Sequence, residues 1–123
     1  MPVDIEIDVG LKRVVNRVSG ALMGAELLNV QQRIRQHPDF LPDFTQLFDL
    51  SRATEVHVTA EDVRSIAAAT PFCPTARRAL VVSGPLQFGL ARMFSSYIEA
   101  NGGAARVCTT LDDALEWLNG GSG

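Results

Sequence analysis

The chain has 123 residues, of which 46% are hydrophobic and 20% charged, and its formal net charge is −3. This length predicts one domain over residues 1–119, followed by a flexible tail at 120–123. The acidic balance and the scattered basic residues argue against a nucleic-acid partner. No apolar run reaches the roughly 20 residues that span a bilayer, and the N-terminus lacks a signal-peptide pattern. We therefore expect no transmembrane segment and a cytoplasmic location.

The first third of the chain predicts an antiparallel hairpin followed by a helix. Apolar and acidic residues alternate over residues 3–8, which is typical of a half-buried edge strand. Residues 14–18 return as a second strand. Between residues 24 and 36 the apolar spacing becomes helical, and His37-Pro38 ends that helix. Its expected inward side chains are Leu27, Leu28, Val30 and Ile34.

Three further strands, each followed by a helix, complete the predicted fold. The strands are expected at residues 45–50, 79–82 and 105–109. The helices begin at Thr59, which has Asp62 three residues later as in a capping box, near Pro85 and at Thr110. Their expected inward residues are Val63, Ile66 and Ala67, then Leu86, Leu90, Met93, Phe94 and Tyr97, then Leu111, Ala114, Leu115 and Leu118. The order ββαβαβαβα predicts an α/β fold with a mostly parallel five-stranded sheet and an antiparallel N-terminal edge strand.

The carboxyl ends of the third, fourth and fifth strands should share one edge with the starts of three helices. Helix starts expose unpaired N–H groups, which suit an anion or the carboxylates of a partner. The residues expected to form this ligand- or partner-binding edge are Asp49, Ser51, Arg52, His57, Thr59, Ser83, Gly84, Arg92 and Thr110. The alternative for Thr59, Ser83 and Thr110 is that they only cap helices.

No catalytic or metal-binding motif stands out. A triad of Ser51, His57 and Asp49 can be written down, but Gly-x-Ser-x-Gly is absent, which favours a solvated loop histidine. Neither a phosphate-binding loop nor metal-ligand spacing is present, so no cofactor is expected. The two cysteines, 73 and 108, are expected to be free thiols. Arg77 and Arg78 open the fourth strand at the opposite edge, and we expect them to stay out of the site.

The chain resembles the STAS domain of anti-sigma-factor antagonists, and above all the small bacterial STAS-like, or SpoIIAA-like, single-domain proteins. The resemblance covers nearly the whole sequence. It rests on four stretches: Phe-Asp-Leu-Ser-Arg-Ala-Thr-Glu-Val at 48–56, Ala-Arg-Arg-Ala-Leu-Val-Val at 76–82, Phe-Gly-Leu-Ala-Arg-Met-Phe at 88–94 and Leu-Asp-Asp-Ala-Leu-Glu-Trp-Leu at 111–118. It implies a βα superhelix with its helices largely on one side of the sheet. It also implies a phospho-acceptor serine before the second helix, a position that Val58 occupies here, so the usual phospho-switch is not expected.

The expected function is that of a non-enzymatic regulatory domain that binds a protein partner at the edge between the third strand and the second helix. The alternative is a protein that binds a small anionic or lipid-like ligand, and an unrecognised enzyme is a remote alternative. A shallow surface would favour the first, whereas an enclosed apolar pocket beside Met93, Phe94 and Tyr97 would favour the second. A sheet face left uncovered by the helices would favour a homodimer.

Overall fold

The computed structural model describes residues 2–121. Within this range the elements are β1 (Val3–Asp8), β2 (Arg13–Met23), α1 (Gly24–Gln36), β3 (Thr45–His57), α2 (Ala60–Ala68), β4 (Arg77–Val81), α3 (Pro85–Ala100), β5 (Ala104–Cys108) and α4 (Leu111–Leu118). The sheet has the strand order β1-β2-β3-β4-β5, with β1 antiparallel to β2 and the other neighbours parallel. The predicted α/β fold and the order ββαβαβαβα are confirmed.

The helices cover the two sheet faces unequally. α1, α2 and α3 pack on one face, over a core that includes Val14 and Leu80, while α4 packs on the other face over Leu47, Ala79 and Val81. Alternate residues of β4 are therefore buried on opposite sides, which agrees with the uninterrupted apolar sequence of residues 79–82. The homodimer was predicted from a sheet face without a covering helix, and α4 covers that face. This argument therefore no longer supports a homodimer, which stays an untested prediction.

β2 and β3 are longer than the sequence suggested. β3 was expected to end at residue 50, but it continues to His57 and pairs with β2 from Ser19 opposite Arg52 to Met23 opposite His57. The pairing of β3 with β4 ends earlier, at Asp49 opposite Val81. Residues 19–23 and 52–57 thus form a two-stranded extension beyond the rest of the sheet, which we call the β2–β3 ribbon.

Some predicted helix faces are rotated in the structure. Val63, Ile66 and Ala67 of α2 are buried as expected. Leu28, Leu86 and Leu111 were expected to point inward but are exposed. In α1 and α3, Gln31 and Gln87 are buried instead. Long amide side chains can enter a core where their polar ends find backbone partners, and both of these do so.

The carboxyl end of the described chain is held by hydrogen bonds. The N–H groups of Gly120 and Gly121 donate to the carbonyl oxygens of Trp117 and Glu116. Nη1 of Arg77 donates to the carbonyl oxygens of Trp117 at 2.6 Å and Gly121 at 3.2 Å. The remainder of the predicted tail, residues 122–123, lies outside the described residues.

Candidate functional site

The polar residues at the strand ends act mainly as helix caps. Oγ1 of Thr59 accepts from the N–H of Asp62 at 3.1 Å, and the N–H of Thr59 donates to the Asp62 carboxylate at 2.9 Å. Oγ1 of Thr110 accepts from the N–H of Asp113 at 3.2 Å. These bonds satisfy donors that a helix start leaves without intrahelical partners. The hydroxyl groups at both positions are therefore engaged with their own helices.

The start of α3 is capped differently. Gly84 is the N-cap and has φ +83°, a conformation that favours glycine. The N–H of Ser83 donates to Oε1 of Gln87 at 2.9 Å. Gln87 is buried, so this bond ties the exposed end of the fold to its interior. Ser83 and Gly84 lie at the edge where the sequence placed them, directly after β4.

The residues predicted around β3 are spread along a strand. His57 lies at the end of β3 and not in a loop, which corrects the sequence-based placement. Asp49 is where β3 leaves β4, and its Oδ1 accepts from the N–H of Ser51 at 2.9 Å. Arg52 lies exposed on the β2–β3 ribbon. Thr59 follows the far end of that ribbon, so it lies beyond the shared edge on which the prediction placed it.

A serine triad is not assembled. Nε2 of His57 lies 3.7 Å from Oε2 of Glu55, and both side chains are more than half exposed. Within residues 2–121, no hydrogen bond joins His57 to Ser51 or Asp49. A general base must hold its nucleophile within hydrogen-bond reach. The arrangement is that of a surface histidine beside a glutamate.

Arg92 lies on the exposed side of α3, and its guanidinium carbon is 5.7 Å from the ring centroid of Phe88. An exposed arginine that stacks on a neighbouring aromatic ring keeps its charge in water. The structure places Arg92 beside a depression that Val107 of β5 and Trp117 of α4 also line. It does not bring this residue together with Asp49, Ser51 or Thr59.

A cavity inside the fold is the feature that the sequence did not place. It lies between the sheet and α1, α2 and α3, has a volume of about 80 Å³ and communicates with solvent. Its lining is mostly apolar. We call it the inner cavity and define it by Leu22, Leu27, Val30, Gln31, Gln46, Phe48, Leu50, Val56, Val58, Val63, Ile66, Arg78, Leu80, Gln87, Leu90, Ala91 and Phe94. Of the three residues expected beside a pocket, Phe94 lines it, whereas Met93 and Tyr97 do not.

Arg78 is the charged residue in the lining of the inner cavity, and it is only 4% exposed. Its Nε donates to Oε1 of Gln46 at 3.0 Å, and its Nη1 donates to Oγ1 of Thr70 at 2.8 Å. The guanidinium carbon lies 4.6 Å from the ring centroid of Phe72 and 4.9 Å from that of Phe94. Polar and aromatic groups surround the cation, but none of the ion pairs within residues 2–121 includes it.

The burial of Arg78 has an electrostatic consequence. Removal from water disfavours the charged form, and it lowers the pKa of Arg78 from its ordinary value to about 9. The side chain still carries its proton at neutral pH. A buried cation without a carboxylate is costly. Arg78 lines both the inner cavity and a surface depression that contains Thr70 and Phe72, so its positive charge lies between the two, where an anion in the inner cavity would stabilise it.

The sequence predicts that Arg78 stays out of the site, because β4 begins at the opposite edge of the sheet. The signal that could have found it is the alternation of the strand. Leu80 and Val82 belong to the core under α1–α3, and Arg78 lies two residues before Leu80 on the same face. An arginine on a buried strand face is uncommon and indicates either a structural network or a binding group.

The described residues offer neither a metal site nor a membrane-spanning helix. No group of three or more His, Cys, Asp or Glu side chains is arranged to hold a metal ion there. None of the helices in residues 2–121 is long and apolar enough to cross a membrane. Cys73 and Cys108 are free thiols, as predicted.

The comparisons with known proteins support the fold. No family model and no curated protein matches the sequence. Among solved structures, the chain is similar to an uncharacterised protein of the DUF3478 family with a SpoIIAA-like fold from Shewanella loihica PV-4. The TM-score is 0.60 at 18% sequence identity, and the match covers 94% of this chain and 91% of the other. The predicted resemblance is confirmed at the level of a SpoIIAA-like fold.

Proposed function

We propose that this SpoIIAA-like chain is a binding domain whose ligand is a small, largely apolar molecule held in the inner cavity. The observation that carries the proposal is the cavity itself, about 80 Å³ of mainly apolar space that communicates with solvent. An apolar cavity of about 150 Å³ is large enough to bind benzene. The inner cavity is about half that size, so a ligand of five to seven heavy atoms enters it with some separation of α2 and α3.

The position of Val58 supports this choice over a phospho-switch. In the resemblance to anti-sigma-factor antagonists, this position corresponds to the serine that is phosphorylated. Here the side chain is apolar and lines the inner cavity. An apolar residue at this point contributes to a binding surface for apolar groups, and it offers no hydroxyl to a kinase. We therefore propose a binding role in place of both the phospho-switch and catalysis.

A titration with butan-1-ol followed by amide NMR tests the proposal. We expect saturable shifts in the wild-type chain at residues that line the inner cavity, such as Val63 and Leu80. Ala91→Leu places a larger side chain in the cavity and should abolish these shifts. Ala100→Leu, at the exposed end of the same helix, is the matched control and should bind as the wild type does. Equal, non-saturable shifts in all three proteins would contradict the proposal.

A second candidate is the expected docking of a protein partner beside β3. The supporting observation is that β3 pairs with β4 only as far as Asp49. Beyond this point, the edge of β3 that faces away from β2 has no neighbouring strand among the described residues. Such an edge can accept a strand from a partner. Arg52→Glu should then weaken capture of that partner. Lys12→Glu makes the same charge change in the turn that precedes β2, far from the ribbon, and should not. If both variants capture the partner equally, this edge is not the docking site.

A further inference from the structure

One wall of the inner cavity is polar, and its hydrogen-bond directions are fixed. Arginine can only donate, so Gln46 must present its oxygen to Arg78. The Nε2 group of Gln46 then donates to Oδ1 of Asn16 at 2.8 Å. Both the oxygen and the nitrogen of the Gln46 amide are therefore engaged in hydrogen bonds. The guanidinium of Arg78 remains a cation without a counter-ion at the cavity wall.

Gln31 supplies a second fixed group in the lining. Its Nε2 donates to the carbonyl oxygen of Ile66 at 2.7 Å. A carbonyl oxygen can only accept, so a 180° flip of the Gln31 side-chain amide would break this hydrogen bond. Its Oε1 is buried and has no hydrogen-bond partner, and the residue is 9% exposed. A buried acceptor without a donor costs free energy, and a ligand with a hydroxyl group would remove that cost.

We propose that the ligand of the inner cavity is a small organic acid with a hydroxyl group and a short apolar body. The carboxylate pairs with Arg78, the hydroxyl donates to Oε1 of Gln31, and the apolar body contacts the side chains around Leu50 and Val63. This inference rests on the proposed ligand-binding function and names the class of ligand.

The surroundings favour this class over the alternatives. A neutral ligand would leave Arg78 as a buried cation without a counter-ion, whereas a monoanion would neutralise it. A second negative charge would have no partner, since the rest of the lining is apolar or amide. The cavity volume of about 80 Å³ limits the apolar body to a short chain unless the helices move.

The test compares three probes of similar size by NMR titration: 2-hydroxybutanoate, butanoate and butan-1-ol. In the wild-type chain we expect butanoate to bind about tenfold more tightly than butan-1-ol, because a charge-assisted hydrogen bond is stronger than a neutral one. 2-Hydroxybutanoate should bind more tightly again, by about fivefold. Gln31→Met removes the acceptor and should reduce 2-hydroxybutanoate to the level of butanoate.

A second variant tests the charge separately. Gln46→Glu places a carboxylate against Arg78, so both acids should lose their advantage while butan-1-ol still binds. A pH titration gives the same test with Gln46 intact: raising the pH above about 9, the pKa of Arg78, should weaken both acids and leave butan-1-ol unchanged. The groups packed around the guanidinium (Gln46, Thr70, Phe72 and Phe94) have no titratable proton, and Cys73, which shares a surface depression with Arg78, is replaced by serine (Cys73→Ser) for this titration.

The outcomes separate this inference from the proposed function. If butan-1-ol binds at least as tightly as both acids, the assignment of an acid is wrong and the ligand-binding function stands. If the two acids bind equally in the wild type, the role of Gln31 is wrong. If none of the three probes binds, both the inference and the proposed function fail.

Discussion

Arg78 and Gln46 form a hydrogen bond of 3.0 Å between neighbouring parallel strands, Nε to Oε1, inside the core of the fold. This bond orients a row of side chains. Gln46 turns its nitrogen toward Asn16, whose Oδ1 accepts at 2.8 Å, and Nδ2 of Asn16 is then left without a partner. Because Arg78 can only donate hydrogen bonds, Gln46 must accept with its oxygen and donate with its nitrogen, and Asn16 must accept with its oxygen.

The first prediction concerns the link at the centre of this row. Gln46→Met leaves Nε of Arg78 and Oδ1 of Asn16 buried without partners. We expect the free energy of unfolding to fall by about 3 kcal/mol, because each unsatisfied buried group costs about 1–3 kcal/mol and a charged one costs more. Urea denaturation followed by Trp117 fluorescence and circular dichroism measures the loss.

Gln46→Glu is the contrasting variant. Its carboxylate accepts from Arg78 with one oxygen, and after the amide of Asn16 turns over it accepts from Nδ2 with the other. We expect a free energy of unfolding within about 1 kcal/mol of the wild type at neutral pH, or above it, since the buried cation gains a counter-ion. Equal destabilisation by Met and Glu would show that shape and not hydrogen bonding matters at this position.

The second prediction concerns stability against pH. Burial lowers the pKa of Arg78 to about 9 in the folded chain, well below the ordinary value that the unfolded chain retains. Between these two values the unfolded chain binds a proton that the folded chain does not, so stability from this group increases as the pH rises. Below about pH 9 both states carry the proton, and the cost of burying the charge is constant.

Arg78→Met removes the titrating group and serves as the reference. The free energy of unfolding of the wild type minus that of the variant should be flat between about pH 6 and pH 8 and should rise above about pH 9. Taking the difference cancels the groups that titrate elsewhere in the chain. A difference that stays flat to about pH 10.5 would mean that Arg78 remains charged and better solvated than its burial indicates.

Local signals in the sequence were sufficient for most of the fold. Thr59 with Asp62, Pro85 at the start of α3 and the β4 pattern each contain the physical reason for the element within a few residues. The length of β3 does not have a local cause. Residues 52–57 are mostly polar and suggest a loop, and only their pairing with β2, more than 30 positions away, makes them a strand.

The sequence did not predict the inner cavity either, because its lining depends on contacts between residues that are distant in the chain. The partners of Arg78 are Gln46, 32 residues earlier, and Thr70, eight residues earlier, and no spacing rule joins them. The buried face of α1 was also misassigned, because Gln31 enters the core only where Ile66 of α2 offers a carbonyl oxygen. Such a contact depends on how two helices pack, and the sequence of either helix alone does not contain it.

The third prediction concerns the cap of α2. Thr59→Ala removes the oxygen that accepts from the N–H of Asp62, and we expect a loss of about 1 kcal/mol in the free energy of unfolding. Thr59→Ser keeps the oxygen and should lose at most a few tenths of that. If the serine and alanine variants are equally unstable, the methyl group rather than the cap is the source of the loss. Chemical denaturation of the three proteins decides between these outcomes.

The fourth prediction concerns the close approach of α1 and α2. A Cβ atom on Gly24, at the start of α1, would collide with the Asp62 carboxylate that caps α2. Gly24→Ala should therefore destabilise the chain by about 1–3 kcal/mol, although alanine favours a helix over glycine. Gly89→Ala is the matched control on α3, because a Cβ atom at that position would point into open space, and it should stabilise by up to about 1 kcal/mol.

A double-mutant cycle identifies the cause of the Gly24 effect. Asp62→Ala removes the carboxylate, so Gly24→Ala should cost little in that background, and the two changes together should cost less than their sum. Strict additivity would place the strain elsewhere, in the backbone at the junction of β2 and α1. Leu27, about one turn after Gly24, and Val63, the neighbour of Asp62, both line the inner cavity, so the same clash should also weaken the binding of butan-1-ol. Gly89→Ala should leave that binding unchanged.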